Sequence, residues 1–525
     1  MPVTSPPRGA VAVTNREREG APRPAPFAAA LLGPRAGLWL AAGVLLTRLP
    51  SFHGAIINID ECDFVLIARM MRTGALPYVG AVDIKPPLTY VVFWAASFFG
   101  SSVLPARVLA ASFLLGTVFL VRAAARLWTD DDRVGVAAGW VTLIASLCEL
   151  PWASSETFMN LPVAAALYAF ARAHRSRARG WDLAAGLAIG GATLFKHQAA
   201  VLLPALGAAV AWTGFNRRDA RALARLAVLG AGFAVPWATT IGLYAALGHL
   251  PELVDWVFRR NFGYVGNVHA GVASRVGAVA FAVGGCVLLH GLALREAVRV
   301  RRDPVGLGYG LALLLTWVGV SLGGRFYQHY FLQFGPVLGL LAARPLSALL
   351  EGWGALAPRR RGAVVALLAL PVVAWAAYGL VRIPLRDYPS QDAKTAIVAA
   401  WLRANTAPSD RLFVWGDFTP VYYQADRLPG TRYLMTAVHM GNFDPADLPP
   451  GFDVAPFRSE RDVAATLRDL EANRPGWVVD TAPADIHHWS RVPLEKFPSL
   501  RAYIDAHYSE VASPAGARVY RRRDG

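Results

Sequence analysis

Charge is what this sequence has least of for its length. Across 525 residues only 17% are Asp, Glu, Lys or Arg, against 55% that are hydrophobic, and the mean hydropathy is +0.36. A soluble protein of that make-up lacks the polar surface to cover itself, which excludes an ordinary water-soluble globule. Cysteine is nearly absent. Cys62, Cys148 and Cys286 are the three; they form no CxxC spacing and no even set, so neither a disulfide framework nor a thiolate metal site is available, and buried free thiols remain. Acidic residues are in deficit, 36 against 52 Lys and Arg, for a net charge of +16. Such a balance suits nucleic acid, but the arginines sit in short clusters between apolar runs, as in loops that flank membrane spans, and no nucleic-acid partner is expected. No internal repeat has a clean period. Low complexity is confined to the Pro- and Arg-rich start, MPVTSPPRGAVAVTNREREGAPRPAP, too polar and Pro-broken to build a core. The first apolar run, Ala36 to Leu46, begins too far in and lacks a small-residue cleavage site, so it reads as an anchor rather than a signal peptide.

What is present in abundance is apolar length. A spanning helix takes about 17–25 mostly apolar residues, and candidate stretches lie near 34–50, 105–127, 134–150, 157–173, 182–196, 198–214, 223–247, 275–294, 305–322, 329–343 and 362–381. That is roughly eleven crossings. Pro86–Gly100 (PPLTYVVFWAASFFG) is shorter and reads as an interfacial helix with Tyr90 and Trp94 at headgroup depth; counting it as a span would reverse everything after it. With the N-terminus inside, the inner loops collect Arg122, Arg126 and Arg133, the 172–179 and 217–225 clusters, Arg295 to Arg302, and Arg359 to Arg361. The outer loops hold Arg69, Arg72, Lys85, Lys196, Arg259, Arg260 and Arg325. The ratio is roughly five to two, in the direction the positive-inside rule requires.

The chain thus divides into a disordered cytoplasmic tail (1–33), a membrane domain (34–381) with a large first outer loop (51–104), and an extracytoplasmic region (382–525). That last region is polar and charged throughout. DAKTAIVAAWLRAN followed by RLFVWG, and RDVAATLRDLEAN followed by GWVVDT, each read as helix then strand, predicting a small α/β domain.

The first outer loop carries the chemistry. Asn58-Ile59-Asp60-Glu61-Cys62-Asp63 is followed by Asp83-Ile84-Lys85-Pro86-Pro87. A base that takes a proton from a hydroxyl needs a carboxylate held beside the reacting atoms, and Asp60 or Glu61 supplies one. Equally, both carboxylates suit the first turn of a helix over DFVLIARMMRTG, where the helix dipole favours acids. Lys85, ahead of two prolines that stop the chain, is placed to hold a lipid phosphate. Arg325, in the Gly323–Gln328 turn, and His329 either meet substrate or anchor a span end at headgroup depth. Lys196 lies between two apolar runs, at a hairpin turn or facing a polar cavity. Glu156 and Asn160 are one helical turn apart and share a face, and Arg107 either joins that cavity or snorkels to the interface. His487 and His488 are adjacent, which suits solvated surface rather than one metal, and Asp130-Asp131-Asp132 suits a solvated inner turn.

Taken in order, these segments resemble a known family. Asp60-Glu61, LIARMMRTGALPY, DIKPPLTY (83–90), SVLPARVLA (102–110), SSETFMNLPVAAALYAF (154–170), LFKHQAAVLLP (194–204) and GGRFYQHYFLQFGPVLGLLA (323–342) are similar to the GT-C glycosyltransferases. The likeness is to the bacterial protein-mannosyltransferase and lipid A aminoarabinose/galacturonic acid transferase group, and VWGDFTPVYYQADRLPGTRYL (414–434) looks like the start of its outer C-terminal domain. The resemblance implies a polytopic helical membrane enzyme of the bacterial inner membrane. It would move a sugar from a polyprenyl-phosphate donor to a lipid, glycan or protein acceptor at the outer face, as in lipopolysaccharide modification. It maps the catalytic acid onto Asp60 with Glu61 beside it. Family members often carry an acidic or His residue before the KPP; Ile84 stands there, so that role is absent or moved to Asp83.

A lipid phosphate is already a competent leaving group, so cations to stabilise its charge matter more than a general acid. Lys85 and Arg325, helped by His329 and Lys196, fill that part, with Glu156, Asn160, Arg107 and Tyr327 lining the substrate cavity. A divalent metal is not demanded, since these cations can do its work, though one carboxylate pair does not exclude it. The rival of another class is a transporter or flippase, which would place charged or broken spans near the midplane.

Overall fold

A computed structural model describes residues 32–176, 178–266, 272–385, 393–416, 418–441, 443, 448–449 and 451–524. The expected tail, residues 1–31 of it, lies outside them. Each of the eleven apolar stretches is helical. In chain order the membrane part has α1 (Ala36–Arg48), α2 (Ile59–Arg72), α3 (Pro87–Ala96), α4 (Leu104–Thr129), α5 (Asp132–Ala145), α6 (Ser155–Ser176), α7 (Arg179–Thr193), α8 (Leu202–Arg217) and α9 (Arg221–Ala246). It continues with the short α10 (Leu250–Val254) and α11 (Arg260–Gly266), then α12 (Val272–Gly285), α13 (Val287–Arg299), α14 (Pro304–Ser321), α15 (Gly335–Glu351) and α16 (Pro358–Leu385).

Among the described residues six helical stretches are long and apolar enough to cross a membrane on their own: Leu104–Thr129, His197–Arg217, Arg221–Ala246, Pro304–Ser321, Gln328–Ala355 and Pro358–Ala377. The stretch read as one span over 275–294 is a pair, α12 and α13, bent by 76°. The remaining helices are shorter or, like α6 with Glu156, carry the charged groups of the site. A hydropathy scan runs through caps and turns that the backbone does not count as helix, which is why eleven apolar stretches give six unaided spans. The stretch 86–100 forms α3 and one further turn, about 20 Å of helix, short of a hydrocarbon core of about 30 Å. It buries Tyr90 and Phe93 and leaves Trp94, Phe98 and Phe99 exposed.

The C-terminal region is the α/β unit the pattern predicts. Helix α17 (Ala393–Asn405) leads into β1 (Arg411–Trp415), and after α18 (Pro420–Ala425) and β2 (Leu428–Pro429) come α19 (Glu460–Asn473), β3 (Trp477–Asp480), α20 (Pro498–His507), β4 (Tyr508–Ala512) and β5 (Arg518–Arg522). The sheet order is β2-β1-β3-β5-β4, with β1 parallel to β2 and β3 and β5 antiparallel to β3 and β4. β3 is buried along its whole length, as a strand covered on both faces must be. The expected boundary near 382 falls inside α16, which runs on to Leu385.

This unit docks on the first loop. Val82 N donates to Arg432 O at 3.0 Å, Arg69 pairs with Asp426 at 3.0 Å, and the Tyr423 hydroxyl donates to Gly54 O at 2.9 Å. Arg260 grips Asp462 at 2.7 Å. First loop and sheet domain therefore sit at the same end of the helical body.

Candidate active site

Asn58 starts α2: its side chain accepts from Asp60 N at 3.0 Å, and both acidic residues fall in the first turn. They then part company. Glu61 is fully buried and grips Arg107 with both oxygens, at 2.8 and 2.6 Å. The rest of that guanidinium donates to Ser51 O, His53 O and Ala55 O, and Glu61 also accepts from Ala153 N at 2.9 Å. Every donor of Arg107 is thus spent on fixing the first loop against α4. The structure buries Glu61 and Arg107 inside the scaffold, and Arg107 does not snorkel.

Asp60 points the other way. Its side chain is 24% exposed and lies 3.5 Å from the Lys85 ammonium, itself 25% exposed. Lys85 is delivered by the Pro86-Pro87 turn, which folds α3 back so that Tyr90 meets the loop. The Tyr90 hydroxyl accepts from Lys85 N at 3.1 Å and donates toward Asp83 at 3.0 Å, while Tyr78 donates to Lys85 O at 2.7 Å. Burial works against the ammonium, but the Asp60 and Asp83 carboxylates outweigh it and hold Lys85 above the usual lysine value. Asp63, one turn beyond Asp60 in α2, is pushed well above the usual carboxylate range by burial and by the Asp60 and Asp83 charges. Asp63 is buried, as are Glu61 and Asp83, which leaves Asp60 as the exposed acid of the loop.

A second pair stands on other elements. Glu156, in the first turn of α6, forms an ion pair with Lys196, from the turn after α7. The Lys196 ammonium sits 3.9 Å over the Tyr330 ring, and His329 Nε2 is 4.0 Å from the same Glu156 oxygen. The turn over 328–334 supplies both rings. Tyr327 stacks on His329 with centroids 5.6 Å apart, Trp152 packs edge-on to it at 5.3 Å, and Arg325 donates to the Tyr327 hydroxyl at 3.2 Å. Lys85 lies within electrostatic reach of Tyr330, and Lys196 within reach of Lys85 and Asp60, so the two pairs are electrostatic neighbours. Asn160 pins the 328–334 turn, its amide donating to Leu332 O at 2.8 Å.

Of the residues singled out in the sequence, Asp60, Lys85, Lys196, Glu156, His329 and Tyr327 converge, with Arg325 reaching the cluster through Tyr327. Glu61, Arg107 and Asn160 hold its walls. Tyr78, Tyr90 and Trp152 were not singled out as site residues; the signal for Tyr90 is its place five residues after Lys85, across a Pro-Pro turn. Among the described residues no three His, Cys, Asp or Glu side chains converge as ligands of one metal ion.

The fold, a helical body whose long first loop is capped by a small mixed-sheet domain, is shared with solved membrane proteins. ArnT from Cupriavidus metallidurans bound to undecaprenyl phosphate superposes with a TM-score of 0.62 at 15% identity, over 93% of this chain and 98% of that one. The Archaeoglobus fulgidus oligosaccharyltransferase AglB, in complex with an inhibitory peptide and a dolichol-phosphate, aligns with a TM-score of 0.52 at 14% identity, over 93% of this chain and 75% of its own. No protein-family model and no curated protein sequence matches the chain.

Proposed function

We propose that this chain is a GT-C glycosyltransferase. It moves a sugar from a polyprenyl-phosphate donor to a lipid, glycan or protein acceptor at the outer face of the bacterial inner membrane. The N-terminus is cytoplasmic and the sheet domain extracytoplasmic. The observation that carries the reading is the half-open Asp60–Lys85 pair, a carboxylate beside an ammonium at the mouth of a polar cluster. The fold adds support, because two structural neighbours hold undecaprenyl phosphate and dolichol-phosphate.

In this reading Asp60 takes the proton of the acceptor hydroxyl as its oxygen attacks the anomeric carbon. The bond from that carbon to the donor phosphate oxygen breaks, and the electron pair leaves on the phosphate. In-line displacement inverts the anomeric centre. Lys85, Lys196, Arg325 and His329 stabilise the developing phosphate charge, an electrostatic contribution that is often the largest in catalysis. Glu156 keeps Lys196 and His329 in place. A transporter is disfavoured by the gathering of these groups at one end of the helices rather than at mid-bilayer.

Mass spectrometry of envelope lipids, glycans and proteins tests this in a deletion strain complemented with wild type or Asp60→Asn. One sugar increment should vanish on deletion and return with wild type alone. Full restoration by an inserted Asp60→Asn protein would overturn the role of Asp60. A solute that accumulates while every glycan is unchanged would overturn the transferase.

A further inference from the structure

At the other end of the same helices is a second polar cavity that the transferase chemistry does not use. It has a volume of about 590 Å³ and is lined by Arg122, Arg126, Arg172, Arg175, Asp130 and Tyr168. Sixteen residues of α6 separate Glu156 from Arg172, about 24 Å of helix, and nineteen of α4 separate Arg107 from Arg126, about 29 Å. Those spacings approach the hydrocarbon thickness of about 30 Å, so the cavity opens at the opposite membrane surface from the Asp60 site. By the arginine asymmetry of the loops that surface is the cytoplasmic one.

The charges there do not cancel. Asp130 is taken by Arg175 at 2.7 Å, and one oxygen of Asp132 is divided between Arg122 at 3.4 Å and Arg126 at 3.8 Å. Arg172 has no carboxylate partner among the described residues; its guanidinium lies 5.2 Å over the Trp181 ring, and its Nε is buried with no hydrogen-bond acceptor. The lining sets four guanidiniums against one carboxylate, and the adjoining Asp131 and Asp132 offset only part of that surplus. The cavity wall is also apolar, since Phe119, Ala123 and Leu127 complete the lining and Phe119 is 36% exposed on the outside of α4. Guanidinium forks suit phosphate oxygens, and basic pockets between spans on the cytoplasmic side suit anionic headgroups.

We propose that this cavity binds the phosphates of an anionic lipid of the cytoplasmic leaflet, with the acyl chains leaving past Phe119. A phosphate headgroup meets the surplus positive charge of the lining, and one with two phosphates meets more of it. The site is independent of the sugar-transfer reaction and sits on a helix pair, α4 and α6, that also builds the Asp60 site.

The test uses the full chain, stripped of lipid in an uncharged detergent, with diphosphatidylglycerol, phosphatidylcholine and inorganic diphosphate as probes. Binding is read by native mass spectrometry and by thermal shift. Diphosphatidylglycerol should bind and raise the melting temperature where phosphatidylcholine does not. An Arg126→Gln/Arg172→Gln protein should bind it about tenfold more weakly while melting normally in phosphatidylcholine. An Arg359→Gln/Arg360→Gln protein, which loses the same charge elsewhere on that surface, should bind like wild type. Equal lipid binding by the Arg126/Arg172 variant would overturn the site. So would an equal loss in the Arg359/Arg360 variant, which marks attraction to total charge. Inorganic diphosphate matching the lipid would overturn the lipid as occupant.

Discussion

Asp60 and Glu61 are neighbours of the same chemistry with opposite fates, because successive residues on a helix point about 100° apart. Glu61 is enclosed with Arg107, and removing one partner of such a pair leaves a buried charge uncompensated. Glu61→Gln should therefore lower stability by about 3–5 kcal/mol, read as thermal unfolding in detergent, whereas Asp60→Asn should melt as wild type and lose turnover. A stable but inactive Glu61→Gln protein would move Glu61 back into the chemistry. The sequence placed both acids at the start of a helix, as they are, but adjacent carboxylates carry no mark of which one finds an arginine 46 residues away. A second residue-scale expectation concerns Asp480, at the end of β3. Burial raises its carboxyl from the ordinary aspartate range, near 3.8, to about 6. Between those values the folded state holds a proton that the unfolded chain has released, so stability should fall as pH rises from about 4 to about 6, then level off. Asp480→Asn should abolish that slope and stabilise the sheet domain at pH 8 by up to roughly 3 kcal/mol. Denaturant unfolding followed across that pH range checks both.

At the scale of elements, helices α7 and α9 meet through glycine. A Cβ on Gly232 would lie 2.5 Å from Leu183 O and 3.0 Å from Leu187 N, and one on Gly186 would overlap the Leu229 carbonyl. Small residues let two spans approach backbone to backbone, where packing rather than a solvent-driven effect holds them. Gly232→Ala should destabilise by about 1–3 kcal/mol. Gly191→Ala, on the same α7 but with nothing within 4 Å of the new methyl, should cost nothing measurable; melting temperatures of the two variants side by side decide it. Long apolar periodicity made the helices legible, and helix-then-strand patterns gave α17–β1 and α19–β3. Strands β4 and β5 escaped that reading. YSEVA exposes three of its five residues and RVYRR is mostly charged, so neither shows a clean alternation, and both depend on the ladder with β3 for their conformation. The bend between α12 and α13 escaped too, since hydropathy averages across the break.

For the whole molecule, the sheet domain and the first loop form one unit around the Asp60 site, tied by Arg69 to Asp426 and Val82 to Arg432, and α11 joins them through Arg260 to Asp462. Orientation follows as a single binary choice: wherever the sheet domain lies, the Asp60 site lies with it and the arginine cavity lies opposite. The proposed arrangement puts the sheet domain outside. The three native cysteines are buried, so the chain has little background reactivity, and single exposed positions report their side cleanly. Ser490→Cys, exposed on the sheet domain, should react with a membrane-impermeant maleimide in intact spheroplasts. Arg179→Cys, exposed at the start of α7, should react only after the membrane is opened. The reverse pattern would place the site in the cytoplasm and end the outer-face transferase. Reaction of both positions in intact cells would contradict the length argument that sets α4 and α6 across one hydrocarbon core. Because α4 carries Arg107 at one end and Arg126 at the other, the same two labels also decide which leaflet offers its lipid to the arginine cavity.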